Sequence, residues 1–211
     1  MNRGKFITIE GTEGAGKTTA KLFITNYLEK AGYKVVVTRE PGGTDIAEEI
    51  RNVLLHRVNN EGMLAETELL LMFASRAQHI YNRIEPTLLS GEWVLSDRYV
   101  DASYAYQGGG RGLDIGFIKM LDKCIVQKLY PDLTFLLDVP AEMGIARAEQ
   151  RGSQKDRIEQ EKIDFFVRVR ETYLERAQQD PKRIKVIDAS MALPQVQSQM
   201  QRVLDTFLAK G

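Results

Sequence analysis

Phe6-Ile7-Thr8-Ile9-Glu10-Gly11-Thr12-Glu13-Gly14-Ala15-Gly16-Lys17-Thr18 is a short apolar strand pattern that runs straight into G-x-x-x-x-G-K-T. Helix-spaced apolar residues, Leu22, Tyr27 and Leu28, follow at once. Glycines let backbone N–H groups converge on an anion with no Cβ in the way, and the following helix offers its positive end to the same point. Such a loop holds the phosphates of a nucleoside triphosphate such as ATP. Gly11, Thr12, Glu13, Gly14, Ala15 and Gly16 would form the wall, Lys17 would reach the β and γ phosphates, and Thr18 would ligate Mg²⁺.

Working outward, residues 35–38, 93–96, 133–137 and 184–187 are continuous rather than alternating apolar runs, the mark of strands buried on both faces. Between them apolar residues recur three and four apart, as at Ile46, Ile50, Val53 and Leu54, and stop near Gly32 and Gly91. The pattern predicts an α/β chain with a three-layer P-loop NTPase fold, a five-stranded parallel sheet with helices on both faces. Its functional residues should lie just beyond the carboxyl ends of the strands. One domain is expected over residues 1–211, with a mobile lid at about 142–160, where the chain turns dense in Arg, Gln, Glu, Lys and Asp.

Composition narrows the function. Lys plus Arg and Asp plus Glu both number 29, so a nucleic-acid or anionic-membrane partner held by bulk charge is excluded, and any polyanion must be met by local charge. The apolar run at residues 69–74 is far short of the roughly 20 residues of a membrane span. The first residues lack a secretory pattern, which points to the cytoplasm. Cys124, the single cysteine, lies among Leu121, Ile125 and Leu129 at helical spacing and reads as core. His56 and His79 read as structural or surface residues. No N-K-x-D segment is present, which disfavours a GTPase switch. The third strand ends in Asp97, a metal-organising acid, followed by Arg98 rather than a water-activating glutamate.

Arginines gather after the second and third strands, in Arg39-Glu40-Pro41-Gly42-Gly43 and in Asp97-Arg98-Tyr99, and suit bidentate contact with a second phosphate. With Phe73-Ala74-Ser75-Arg76, Tyr106-Gln107-Gly108 and Asp156-Arg157-Ile158-Glu159, these motifs together resemble the bacterial thymidylate kinases, in order over nearly the whole chain. The resemblance implies phosphorylation of dTMP by Mg·ATP, and a homodimer packed through apolar helix faces. Candidate dimer surfaces are residues 69–73 and the stripe Ile118, Leu121, Ile125.

Carried over residue by residue, it implies that Arg98 and Arg39, with Arg51 nearby, hold the acceptor phosphate. Arg76 would meet the thymine carbonyl, Ser103 and Gln107 the pyrimidine edge, Tyr106 the sugar C2′ and Glu13 the 3′-hydroxyl. The family's base-stacking aromatic lies four residues before the arginine, at Met72 here, while Phe73 lies three before it; Phe73 is the expected stacking residue. Apart from Lys17 the cradle has no cation, so the catalytic arginines are expected in the lid, at Arg147, Arg151 and Arg157, acting with Lys17 and Arg98. Asp97 and Thr18 are the expected metal ligands, and residues 188–190 the expected adenine contacts. The acceptor is already an anion, so no general base is needed. Two other readings stand beside this one: a P-loop kinase of another nucleoside monophosphate or nucleoside, and a regulatory P-loop ATPase.

Overall fold

The computed structural model describes residues 3–56, 62–127, 129–150, 152 and 156–209. Five parallel strands, β1 (Phe6–Glu10), β2 (Val35–Arg39), β3 (Trp93–Asp97), β4 (Leu133–Asp138) and β5 (Ile184–Asp188), stand in the order β2-β3-β1-β4-β5. All five lie on the predicted runs, each ending one residue later than its apolar stretch. That extra residue is the chemically important one: Glu10, Arg39, Asp97, Asp138 and Asp188 all sit at the carboxyl edge. Register places Arg39 and Ile9 on either side of Asp97, so the loops after β1, β2 and β3 open onto one crevice.

Nine α-helices are assigned among the described residues: α1 (Lys17–Lys30), α2 (Asp45–Leu55), α3 (Ala65–His79), α4 (Glu85–Leu89), α5 (Val100–Ser103), α6 (Ile115–Ile125), α7 (Ala141–Gln150), α8 (Ile163–Gln179) and α9 (Leu193–Leu208). Two π-helical stretches, Ile80–Ile84 and Tyr104–Gly110, continue α3 and α5. Successive strand residues point to opposite layers. Ile7, Ile9 and Leu95 pack under α1 and α9, while Phe6 and Val94 pack against α3, α4 and α6. A third cluster joins Leu136 and Ile184 to α8 and to Tyr106. The central strands are therefore covered on both faces, which is why their sequence is continuously apolar.

One expectation is corrected here. Cys124 is exposed: the buried face of α6 is Ile118 and Asp122, continued by Val126, and a residue two positions from Asp122 lies about 200° around the helix. Of the candidate dimer surfaces, Leu69, Phe73 and Ile118 are buried in the chain's own core, while Leu70 is exposed. The segment expected as a lid includes helix α7, and beyond it Ile158 is buried in the third cluster. Arg151 lies outside the described residues. No helix among the described residues is long and apolar enough to cross a membrane.

Candidate functional site

The cradle has the backbone its glycines predict. Gly11, Gly14 and Gly16 take φ of 140°, 70° and 90°, and Gly16 leads directly into α1. Lys17 folds back along the loop, its Nζ donating to the carbonyls of Gly11 and Thr12 at 3.0 and 2.7 Å. Burial, helped by Arg98, pushes the Lys17 ammonium down to about 8, against the opposing pull of Glu13, Asp97 and Glu10. The loop is also buttressed from outside. A Cβ at Gly14 would lie 1.9 Å from the Gly144 carbonyl, and one at Gly144 2.6 Å from the Glu13 carbonyl, so α7 and the loop meet backbone to backbone.

Arg98 leaves the third strand at φ 68°, in the left-handed region. That turn breaks the alternation of β3 and sends its side chain across the crevice to the cradle. Its Nη2 meets Glu13 at 2.7 Å and the Tyr106 hydroxyl at 2.7 Å, and Tyr106 donates to Glu13 at 2.8 Å, which closes a three-membered ring of contacts. Burial would lift the Glu13 carboxyl, but Arg98, Lys17 and the Tyr106 hydroxyl outweigh it and hold Glu13 below the usual carboxylate range. Arg98 Nε is buried and has no hydrogen-bond partner among the described residues.

Beyond this ring opens a narrow cleft bounded by Glu13, Arg51, Arg76, Arg98, Tyr106 and Gln107. Ser103, Met72, Leu55, Ala102 and Ile158 complete its walls, and Glu40 and Asp156 reach it as well. Arg76 is 2% exposed and fixed on three sides, donating to Glu40 at 2.8 Å, the Ser103 hydroxyl at 3.1 Å and the Tyr99 carbonyl at 3.0 Å. Its guanidinium also lies over the Phe73 ring at 4.7 Å. Glu40 is in turn held by His79 at 2.9 Å, and His79 by Thr38 at 2.6 Å. His79 is thus structural, as read, but it stands directly behind the cleft.

Glu13, Arg51, Arg76, Arg98, Ser103, Tyr106 and Gln107 are brought together in the cleft, and four expected residues are not. Phe73 is 2% exposed in the core beneath Arg76, while Met72, about 100° away around α3, lines the cleft. Arg39 is exposed and paired with Glu48 at 2.8 Å, in a neighbouring shallow cleft with Lys21 and Arg83. Arg147 donates to the carbonyls of Ala189 and Ser190, which ties α7 to the loop after β5. Arg157 turns to the back of the acceptor cleft, donating to Glu68 at 2.5 Å and the Leu54 carbonyl at 2.9 Å. Glu40, Glu68, Arg111 and Asp156 were not identified from sequence. For Glu40 and Asp156 the signal was position, inside quoted motifs; Glu68 and Arg111 carried none.

The whole chain compares with known proteins as this geometry suggests. Residues 9–200 match the thymidylate kinase family. The chain belongs to that family. The thymidylate kinase of Ruthia magnifica subsp. Calyptogena magnifica is 54% identical over 204 residues, covering 97% of this chain and 98% of its own. That of Hahella chejuensis is 51% identical over 209 residues, covering 99% and 100%. The crystal structure of the Ehrlichia chaffeensis thymidylate kinase superposes with a TM-score of 0.77 at 33% identity, covering 96% of this chain and 99% of that one.

A thymidylate kinase needs a place for a divalent ion, and the donors here suit one. Asp97 is a hard carboxylate at the strand edge that Lys17, Arg98 and Lys21 hold below its usual range against the effect of burial. Lys21 Nζ already rests 3.4 Å from it, a cation where a cation is wanted. Thr18, in the first turn of α1, adds a hydroxyl. Two oxygen donors complemented by substrate phosphates match the habit of Mg²⁺.

Proposed function

We propose that this chain transfers the γ-phosphoryl group of Mg·ATP to dTMP, giving dTDP and ADP, and so serves dTTP synthesis. The observation that carries the reading is the ring of Glu13, Arg98 and Tyr106, which joins the triphosphate cradle to an acceptor cleft and leaves an unpartnered arginine donor between them. Family membership supplies the substrate pair. Arg98 and Arg51 receive the acceptor phosphate. Arg76 and Ser103 meet the pyrimidine with Gln107, and Met72 packs on the ring. Tyr106 stands against the sugar.

Asp97 and Thr18 would hold Mg²⁺, which when bound offsets charge on the donor phosphates. Lys17 and Arg98, which converge on the Gly11 carbonyl, face the transferring group together, and positioning with neutralisation is most of what phosphoryl transfer asks of a protein. The acceptor oxygen is already ionised at neutral pH, so no side chain removes a proton. Residues 142–160 act as the lid, and Arg151 completes the cationic set. Two chains form the enzyme, and the cytoplasm is its place of action; the exposed Leu70 on α3 and the exposed Leu64 just before it support an apolar contact there. Coupled ADP release with each nucleoside monophosphate in turn tests the reading: dTMP should give the fastest turnover, and dTMP no better than dCMP, dAMP or buffer would end it.

A further inference from the structure

Behind the cleft, Glu68 is buried at 1% exposure on α3, and four donor atoms from three side chains converge on it. Gln107 Nε2 donates to its Oε1 at 2.8 Å, Arg111 Nε to Oε1 at 3.3 Å and Nη2 to Oε2 at 3.1 Å, and Arg157 Nη2 to Oε2 at 2.5 Å. Arg111 is shared with Glu161 at 2.5 Å. Burial by itself would favour the neutral acid, but the Gln107 hydrogen bond and the two arginines hold Glu68 below the usual carboxylate range. Glu68 is therefore an acceptor only.

That decides an orientation. A glutamine amide has a donor end and an acceptor end of nearly the same shape, and only its partners fix which way it faces. Glu68 takes the NH₂ end of Gln107, which leaves the carbonyl oxygen for the cleft that Gln107 lines. A carbonyl there accepts from the N3–H of a thymine or uracil ring. It faces the bare lone pair at N3 of cytosine. We propose that Glu68 is a specificity-determining positioning residue: it locks the amide polarity of Gln107, so that the cleft takes pyrimidines bearing an N3–H and rejects cytosine, and through Arg157 it holds the 156–158 wall of the cleft in the same network.

This rests on the reading that the cleft binds a pyrimidine nucleoside monophosphate. A mismatch that leaves a buried polar group unpaired discriminates strongly between substrates. Glu68→Gln replaces an acceptor-only group with one that can face Gln107 either way. In the full-length enzyme it should cut the ratio of kcat/KM for dTMP over dCMP at least tenfold while leaving the ratio for dTMP over dUMP, which share the same N3–H, within twofold. In a Gln107→Ala background the same change should move the dTMP over dCMP ratio no further.

A folded Glu68→Gln enzyme with the wild-type dTMP over dCMP ratio overturns the proposal, as does a full further loss in the Gln107→Ala background. If Glu68→Gln does not fold, Glu68→Asp keeps the charge for Arg111 and Arg157 but withdraws it from Gln107. The ratio should again fall, and a wild-type ratio overturns the idea. A wild-type enzyme that prefers dCMP, or is indifferent, would instead sink the dTMP reading itself.

Discussion

Gly144→Ala separates positioning from stability at the seam between α7 and the phosphate loop. The added Cβ would lie 2.6 Å from the Glu13 carbonyl oxygen, against 3.4 Å for ordinary contact, so loop and helix must part by about 0.8 Å. Forcing backbone apart in a packed seam costs about 1–3 kcal/mol. Alanine within a helix returns about 1 kcal/mol relative to glycine, so the net loss of stability is only about 0–2 kcal/mol and the enzyme stays folded. Catalysis does not share that compensation. Glu13 belongs to the ring with Arg98 and Tyr106, and a misplacement near 1 Å at a reacting centre can cost about 10²-fold. We expect kcat/KM for ATP to drop about 30- to 100-fold, with Tm lowered by a few degrees. Gly62→Ala, where nothing stands within 4 Å of the new Cβ, should be silent in both assays. Wild-type kcat/KM for ATP in folded Gly144→Ala would show that the seam does not position the loop.

Arg157→Ala removes the donor to Glu68 and to the Leu54 carbonyl, so KM for dTMP should rise about tenfold by steady-state kinetics; a fall in kcat with KM unchanged would instead place this arginine on the transferring phosphoryl. Burial pushes the Lys17 ammonium, the form that binds a polyanion, down to about 8, so the Kd of a non-hydrolysable ATP analogue should be nearly flat below pH 7, weaken about twofold from pH 7 to 8 and approach tenfold per pH unit above that. Lys17→Arg should stay flat to pH 9.5 in the same calorimetric titration, and a parallel slope in that variant would assign the titration elsewhere. Tyr106→Phe loses the hydroxyl that Glu13 and Arg98 share but keeps the ring beside the sugar. Its kcat/KM for dTMP should fall about tenfold while its preference for dUMP over UMP is unchanged, and a collapse of that preference would show that the hydroxyl, not the ring, reads the sugar.

The sheet was legible because buried parallel strands announce themselves as continuous apolar runs, and the cradle because glycine spacing is dictated by the phosphate it wraps. Site residues next to a strand end, such as Arg98, inherited that legibility. Residues on helices had no such marker, and Arg51, Arg76 and Ser103 were placed only through the family motifs. Met72 and Phe73 are neighbours in sequence with opposite fates, and only the roll of α3 against the core decides that Phe73 goes under Arg76 while Met72 meets the cleft. Cys124 was misplaced for the same reason: it stands among apolar neighbours but on the far side of α6 from Asp122. Glu68 was invisible because its meaning lies wholly in its partners, Gln107 and Arg111 from the stretch after β3 and Arg157 from beyond α7, which are distant along the chain.

The left-handed turn at Arg98 makes Asp97, Arg98 and Tyr99 a joint with three outputs. One peptide step apart, Asp97 faces the cation side of the crevice, Arg98 crosses to Glu13, and Tyr99 offers its N–H to Glu10 and its carbonyl to Arg76. The three contacts thus spring from one covalently joined tripeptide. This limits how the enzyme can be altered: the base pocket can be retuned from Met72 or Gln107, whereas any insertion within this tripeptide would detune all three functions together.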